Sequence, residues 1–145
     1  MPDIELMKQI EIYIDGASKG NPGPAGIGVI ICQDGKILKN IANYIGETTN
    51  NFAEYSALLQ ALEEALIMKA ESVHVYSDSQ LLCRQIKKEY KVKSQNIMGL
   101  YAKAVSLISG FKKFLITHIP RENNVGADKL ATQAVKQALK NSITV

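Results

Sequence analysis

Ile10-Glu-Ile-Tyr-Ile-Asp15 decides the fold, because its isoleucines fall on every second position. Ile10, Ile12 and Ile14 share one face and Glu11, Tyr13 and Asp15 the other, which is the period of a half-buried strand. The segment that follows, Gly16-Ala-Ser-Lys-Gly-Asn-Pro-Gly-Pro24, is predicted as an irregular turn from its glycines and prolines. Gly26 to Cys32 is rich in β-branched residues and reads as a second strand. Asp34-Gly35 signals a hairpin, and Lys36 to Tyr44 reads as a third strand. Three strands joined by short turns form an antiparallel meander.

Beyond Tyr44 the period changes. Ala53, Ala57, Leu58, Ala61, Leu62, Ala65 and Leu66 recur at helical spacing and predict a helix over 50–69. Ser72 to Ser77 is a short strand, with Val73 and Val75 alternating. Ser79 to Lys88 is a helix, Glu89 to Gln95 a polar and basic loop, and Asn96 to Ser109 a further helix. Lys113 to Ile119 reads as a strand stopped by Pro120, and Asn124 to Lys140 as the last helix, with Ala127, Leu130, Ala131, Ala134 and Ala138 on one stripe. The order is βββαβααβα. A meander followed by alternating helices and strands predicts an α/β fold of mixed (α+β) character, a five-stranded sheet with antiparallel and parallel strands and helices on its faces.

With 145 residues, no repeat and no linker, the chain is expected to form one domain, 1–145. A content of 46% hydrophobic and 21% charged residues places it with water-soluble globular chains, and no apolar run is long enough to span a bilayer. Met1 to Lys8 carries Asp3 and Glu5 and lacks an apolar core, so no secretory leader and a cytoplasmic location are expected. Cys32 and Cys83 form no metal-ligand or CxxC pattern and are expected as free thiols. A formal charge of +3 permits a polyanionic partner without requiring one.

Four acids stand where a plain scaffold has no need of them. Asp15 ends the first strand and Asp78 lies just past the fourth; if those strands are parallel neighbours, both carboxylates leave the sheet at its carboxyl edge, the usual place for a ligand. Glu54, in the first turn of its helix, lies on the face shared by 57, 58, 61, 62 and 65 and so points towards the sheet. Asp128 lies at the margin of the apolar stripe of the last helix. Three have a structural explanation on their own: Asp15 as a turn-forming Asp before Gly16, and Glu54 and Asp128 as acids favoured by a helix dipole. Together at one edge, the four would repel and raise one another's pKa values. A hard divalent cation removes that penalty, and two of them about 4 Å apart can activate water and stabilise a leaving oxygen in phosphodiester hydrolysis.

The segments around these acids resemble the type 1 ribonuclease H family. Asp15-Gly-Ala-Ser-Lys-Gly-Asn-Pro-Gly-Pro-Ala-Gly26 is similar to its first-strand motif, Thr48-Thr-Asn-Asn-Phe-Ala-Glu54 to the opening of its first helix, Tyr76-Ser-Asp78-Ser to its "SDS" or "TDS", and Arg121-Glu-Asn-Asn-Val-Gly-Ala-Asp128 to the segment with its last acid. All four occur in the family's order. The resemblance implies the ribonuclease H-like fold and an enzyme that cuts the RNA strand of an RNA–DNA hybrid without sequence preference. It implies two Mg²⁺ ions, with Mn²⁺ substituting, and 5′-phosphate and 3′-hydroxyl product ends. It implies that Asp15 bridges the two ions, that Glu54 and Asp78 complete one site and Asp128 the other. Asn21, Asn50 and Asn51 match positions that touch the hybrid's minor groove, and Thr49 a position on the DNA phosphate; turn and cap chemistry is the alternative for the asparagines.

His118 stands ten residues before Asp128, where many members carry a catalytic His, but the strand reading of Lys113 to Ile119 makes an ordinary strand residue the alternative. Arg121 is then a candidate for phosphate electrostatics. His74 matches no family motif and is expected to be structural. The chain lacks the Trp-bearing basic protrusion of several members; Lys87, Lys88, Lys91 and Lys93 are a candidate reduced phosphate contact or simply a solvated helix end. Two other functions fit the same acids: a different two-metal nuclease on this scaffold, and a non-catalytic hybrid-binding module. A monomer is the expected state.

Overall fold

The computed structural model describes residues 8–143; the leader expectation falls on residues that lie almost wholly outside these. Ten elements follow one another: β1 (Gln9–Ser18), β2 (Gly23–Gln33), β3 (Lys36–Thr48), α1 (Asn50–Ile67), β4 (Ser72–Ser77), α2 (Gln80–Ile86), α3 (Gln95–Ile108), β5 (Lys113–His118), a 3₁₀ turn (Arg121–Asn123) and α4 (Val125–Ile143). The five strands form one sheet in the order β3-β2-β1-β4-β5. β1 pairs antiparallel with β2 and parallel with β4, and β5 adds parallel to β4. This is the mixed sheet that the change of period predicts.

The alternation in β1 has its physical cause in the core. Ile10, Ile12 and Ile14 are fully buried together with Val73 and Val75 of β4 and Tyr55, Leu58 and Leu62 of α1. α1 packs on β1 and β2, and α3 packs on α1. α4 covers the opposite face, over β2, β3 and β1.

The Gly16–Pro24 turn is a correction. β1 continues through Gly16, Ala17 and Ser18, which pair with Ile27, Gly26 and Ala25, and β2 already begins at Gly23. Cross-strand pairing overrides local propensity, and the irregular part shrinks to residues 19–22, closed by Lys19 N–H donating to the Pro24 carbonyl at 2.8 Å. The third strand likewise runs to Thr48 rather than Tyr44, because the lengthened β2 offers it partners up to Gly23↔Thr48. Asn124 stands outside α4 rather than opening it, with φ −121° and ψ 28°.

Glycines in the strands admit the helices. A Cβ at Gly16 would collide with the Ala53 backbone of α1. A Cβ at Gly28 would collide with the Ala127 carbonyl and come within 2.9 Å of the Ala131 nitrogen, both in α4. Gly28 is also the β2 partner of Asp15. The close approach of α4 to Gly28 therefore brings Asp128, the residue after Ala127, close to Asp15. Gly28→Ala must push α4 off the sheet, at a cost of about 1–3 kcal/mol from overpacking. A thermal melt should show a clear fall in Tm; an unchanged Tm would mean that α4 is not seated on this glycine.

Candidate metal centre and nucleic-acid interface

The parallel register ends with Ile14↔Ser77, so the next residues along the two strands are Asp15 and Asp78. The two acids are therefore neighbours where β4 ends, but Asp15 does not end its strand as the sequence reading has it: β1 runs on to Ser18, paired with β2 alone. α1 enters from the side. Its first turn is fixed by Thr49, whose Oγ1 accepts from Phe52 N–H at 3.2 Å, and by the bare backbone of Gly16, which lets the helix come close. The Gly16 N–H donates to Glu54 Oε1 at 2.8 Å in a buried bond. Carboxylate oxygens of Asp15, Glu54 and Asp78 lie within 4.8 Å of one another.

Asp15 and Glu54 are buried, at 5% and 9% exposure, so water screens neither well. Burial, the charge of Asp78, and a hydrogen bond and charge from Asp128 lift the Asp15 carboxyl from its ordinary 3.8 to about 8. Burial and the charges of Asp15 and Asp78 hold Glu54 well above the usual carboxylate range. The sequence's fourth acid thus touches the group through Asp15. Arg121 Nη2 stands 3.9 Å from Asp128 Oδ1 but is 81% exposed, so it compensates little of the repulsion. The donors are all hard oxygens, and such a set suits a divalent cation that prefers oxygen ligands; a cation there removes the repulsion that protonation otherwise relieves.

The amide residues sit beside the acids. Asn50 Oδ1 accepts from Ser18 N–H at 2.8 Å and Ser18 Oγ–H at 3.0 Å, and Asn50 N–H donates to Asn21 Oδ1 at 3.0 Å. This ties the β1–β2 turn to the start of α1 and leaves the exposed Asn50 with its NH₂ to offer. Asn51 Oδ1 is buried without a hydrogen-bond partner. His118 is the exposed last residue of β5, paired with Ser77 and so at the same end of the sheet as Asp78. His74 lies away from the acids, stacked on Tyr76 at 4.2 Å with Nε2 2.6 Å from Thr117 Oγ1, in line with a structural role. Cys32 and Cys83 are free thiols.

The exposed lysines between α2 and α3 stand on a fixed support. Tyr55 O–H donates to buried Gln85 Oε1 at 2.7 Å, and Gln85 Nε2 donates to the Lys91 carbonyl at 3.4 Å. Arg84 pairs with Glu89 at 3.3 Å and lies over the Tyr90 ring at 5.2 Å.

One residue carries no role in the sequence reading and proves central. Asn124 is 1% exposed, and its Nδ2 donates to the Ile14 carbonyl at 2.8 Å and to Asp78 Oδ2 at 3.1 Å. Its place four residues before Asp128 was the available signal.

A mixed sheet with carboxylates gathered beside β1 where β4 ends defines a class of α/β proteins with an acidic edge that could hold a cation. Residues 13–134 match the family model described as "Reverse transcriptase-like". The chain is 39% identical to "Ribonuclease HI" of Halobacterium salinarum over 90% of its own length and 66% of that protein's. It is 35% identical to "Bifunctional protein Rv2228c" of Mycobacterium tuberculosis, of which it spans only 37%. It is 36% identical to "Ribonuclease H" of Chlorobium phaeobacteroides over 90% of this chain and 98% of that protein. Among solved structures, ribonuclease H1 of Halobacterium salinarum superposes with a TM-score of 0.86 at 38% identity, covering 89% of this chain and 98% of the other. LC11 ribonuclease H1, solved in complex with an RNA/DNA hybrid, does so with 0.84 at 44% identity, covering 90% and 99%. This chain belongs to the ribonuclease H family.

The raised carboxyl has a consequence for stability. Without a cation, the folded protein keeps Asp15 protonated up to about pH 8, whereas the unfolded chain loses that proton near pH 4. Between these values the native state holds the extra proton, so this group's contribution falls as pH rises. In chelator-treated protein, the Tm difference between Asp15→Asn and the parent should grow in favour of the variant from about pH 4 to about pH 8. A difference that is constant or shrinks over that window contradicts the raised Asp15 carboxyl.

Proposed function

We propose that the chain is an endonuclease that hydrolyses the RNA strand of RNA–DNA hybrids, leaving 5′-phosphate and 3′-hydroxyl ends, without sequence preference. The observation that carries this is the convergence of Asp15, Glu54 and Asp78 within 4.8 Å, at the sheet edge of a family whose LC11 member has been solved with a hybrid. Residues 1–145 act as one ribonuclease H domain, monomeric and in the cytoplasm, where two free thiols are at home. Among the described residues no helix is long and apolar enough to cross a membrane.

Asp15, Glu54, Asp78 and Asp128 would hold two Mg²⁺ ions, Mn²⁺ substituting, with Asp15 shared between them. Bound there, the ions would supply the charge that activates water and stabilises the leaving oxygen. The protein's own part is to place the substrate. Asn21, Asn50 and Asn51 face the minor groove, where amides donate to and accept from 2′-hydroxyls and base edges and so distinguish RNA from DNA. Thr49 retains its hydroxyl proton for a DNA phosphate, since its oxygen already accepts from Phe52 N–H. Arg121 offers its exposed guanidinium to a phosphate near Asp128. His118, at the same edge, serves proton transfer or product release.

A labelled RNA–DNA hybrid should be cleaved with Mg²⁺ or Mn²⁺, while duplex DNA and duplex RNA are spared and Asp15→Asn falls to background. Hybrid binding without cleavage would make the chain a binding module, and cleavage of duplex DNA a different nuclease. The four lysines give a separate outcome. Replacing Lys87, Lys88, Lys91 and Lys93 by Gln should make the salt dependence of hybrid binding shallower, by about one unit of log–log slope for every phosphate no longer neutralised. An unchanged slope removes them from the interface.

A further inference from the structure

Asn124 closes the 3₁₀ turn before α4 and is 1% exposed. An asparagine at a helix start ordinarily uses its side-chain oxygen to accept an N–H of the first turn. Here Oδ1 has no hydrogen-bond partner at all, although it is buried. The amide nitrogen makes the bonds instead, one to the Ile14 carbonyl, adjacent to Asp15, and one to Asp78 Oδ2. The backbone carbonyl of Asn124 accepts from Asp128 N–H at 3.1 Å. A single residue therefore grips the strand beside one acid, the carboxylate of a second and the backbone of a third, across 110 and 46 residues of chain.

We infer that Asn124 is a positioning residue for the metal centre, holding Asp78 against Ile14 of β1 with a neutral donor. The chemistry selects this side chain. Asp in its place would add another carboxylate and could not donate, while Leu would fill the space but leave Asp78 Oδ2 without its donor. Lys or Arg would neutralise the charge that a cation needs. An amide fixes the carboxylate's orientation and leaves its charge in place. The buried, unpaired Oδ1 is what results when the amide's orientation is set by Asp78 and Ile14 rather than by the helix it precedes. Hydrogen-bonded supports of this kind typically matter 10–100-fold for metal affinity.

The inference rests on the proposed cation site, and the experiment separates the two. Mn²⁺ is titrated calorimetrically into the parent, Asn124→Ala and Asn124→Leu, with circular dichroism on each; Asn124→Leu keeps the branched shape and leaves no cavity should Asn124→Ala lose its fold. The folded variants should bind Mn²⁺ about tenfold or more weakly. With hybrid as substrate, kcat should drop and the Mg²⁺ needed for half-maximal rate should rise while KM for hybrid stays put, a split that a purely structural residue does not produce. Parent and folded variant binding Mn²⁺ within twofold of each other would overturn the role of Asn124 alone. A parent that binds no Mn²⁺ would overturn the cation site and this inference with it.

Discussion

Like charges brought together out of water are the constraint around which this protein is built. Asp15, Glu54 and Asp78 place carboxylate oxygens within 4.8 Å of one another, two of the three buried, and Asp128 presses on Asp15 from the other side. In a medium of low polarity such a group cannot keep all its charge unaided. Protonation is one way out, and the lift of Asp15 to about 8 records it. A divalent cation is the other. An arrangement that is unfavourable for the empty protein is favourable for one that handles a phosphodiester in the presence of such ions.

The fold supplies this convergence from four separate stretches. The parallel pairing of β1 and β4 puts Asp15 and Asp78 next to one another beyond the last paired residues. The absent side chain of Gly16 lets α1 approach on one face, carrying Glu54, and that of Gly28 lets α4 approach on the other, carrying Asp128. Asn124 then joins Ile14 of β1 to Asp78. The apolar core reaches up to the acids, with Ile14 next to Asp15 and Ala53 and Tyr55 on either side of Glu54, and its burial is the stabilisation against which the crowded carboxylates are held.

Features with a local or periodic cause were legible in the sequence. The alternation of Ile10, Ile12 and Ile14 marks a strand because one of its faces is buried, and the three-four spacing from Ala53 to Leu66 marks a helix for the same reason. Glu54 was legible as an inward acid because it interrupts that apolar stripe. The stretch Gly16–Pro24 misleads because its glycines and prolines speak for a turn locally, while pairing with the neighbouring strand and room for two helices decide the outcome. The full length of β3 was hidden for a related reason: it depends on how far β2 extends. Asn124 was hard to read as a site residue because its one local mark is its place four residues before Asp128, while its partners lie 46 and 110 positions away.

Proton counting on ion binding tests the central claim most directly. Mn²⁺ is titrated into the protein at pH 7 in buffers of differing ionisation enthalpy, and the number of protons released per ion is read from the slope. A carboxyl protonated at that pH must give up its proton to become a ligand, so the account predicts net proton release on ion binding, smaller in Asp15→Asn and not abolished, because burial holds Glu54 up as well. Ion binding with no proton release, or no binding at all, would contradict it.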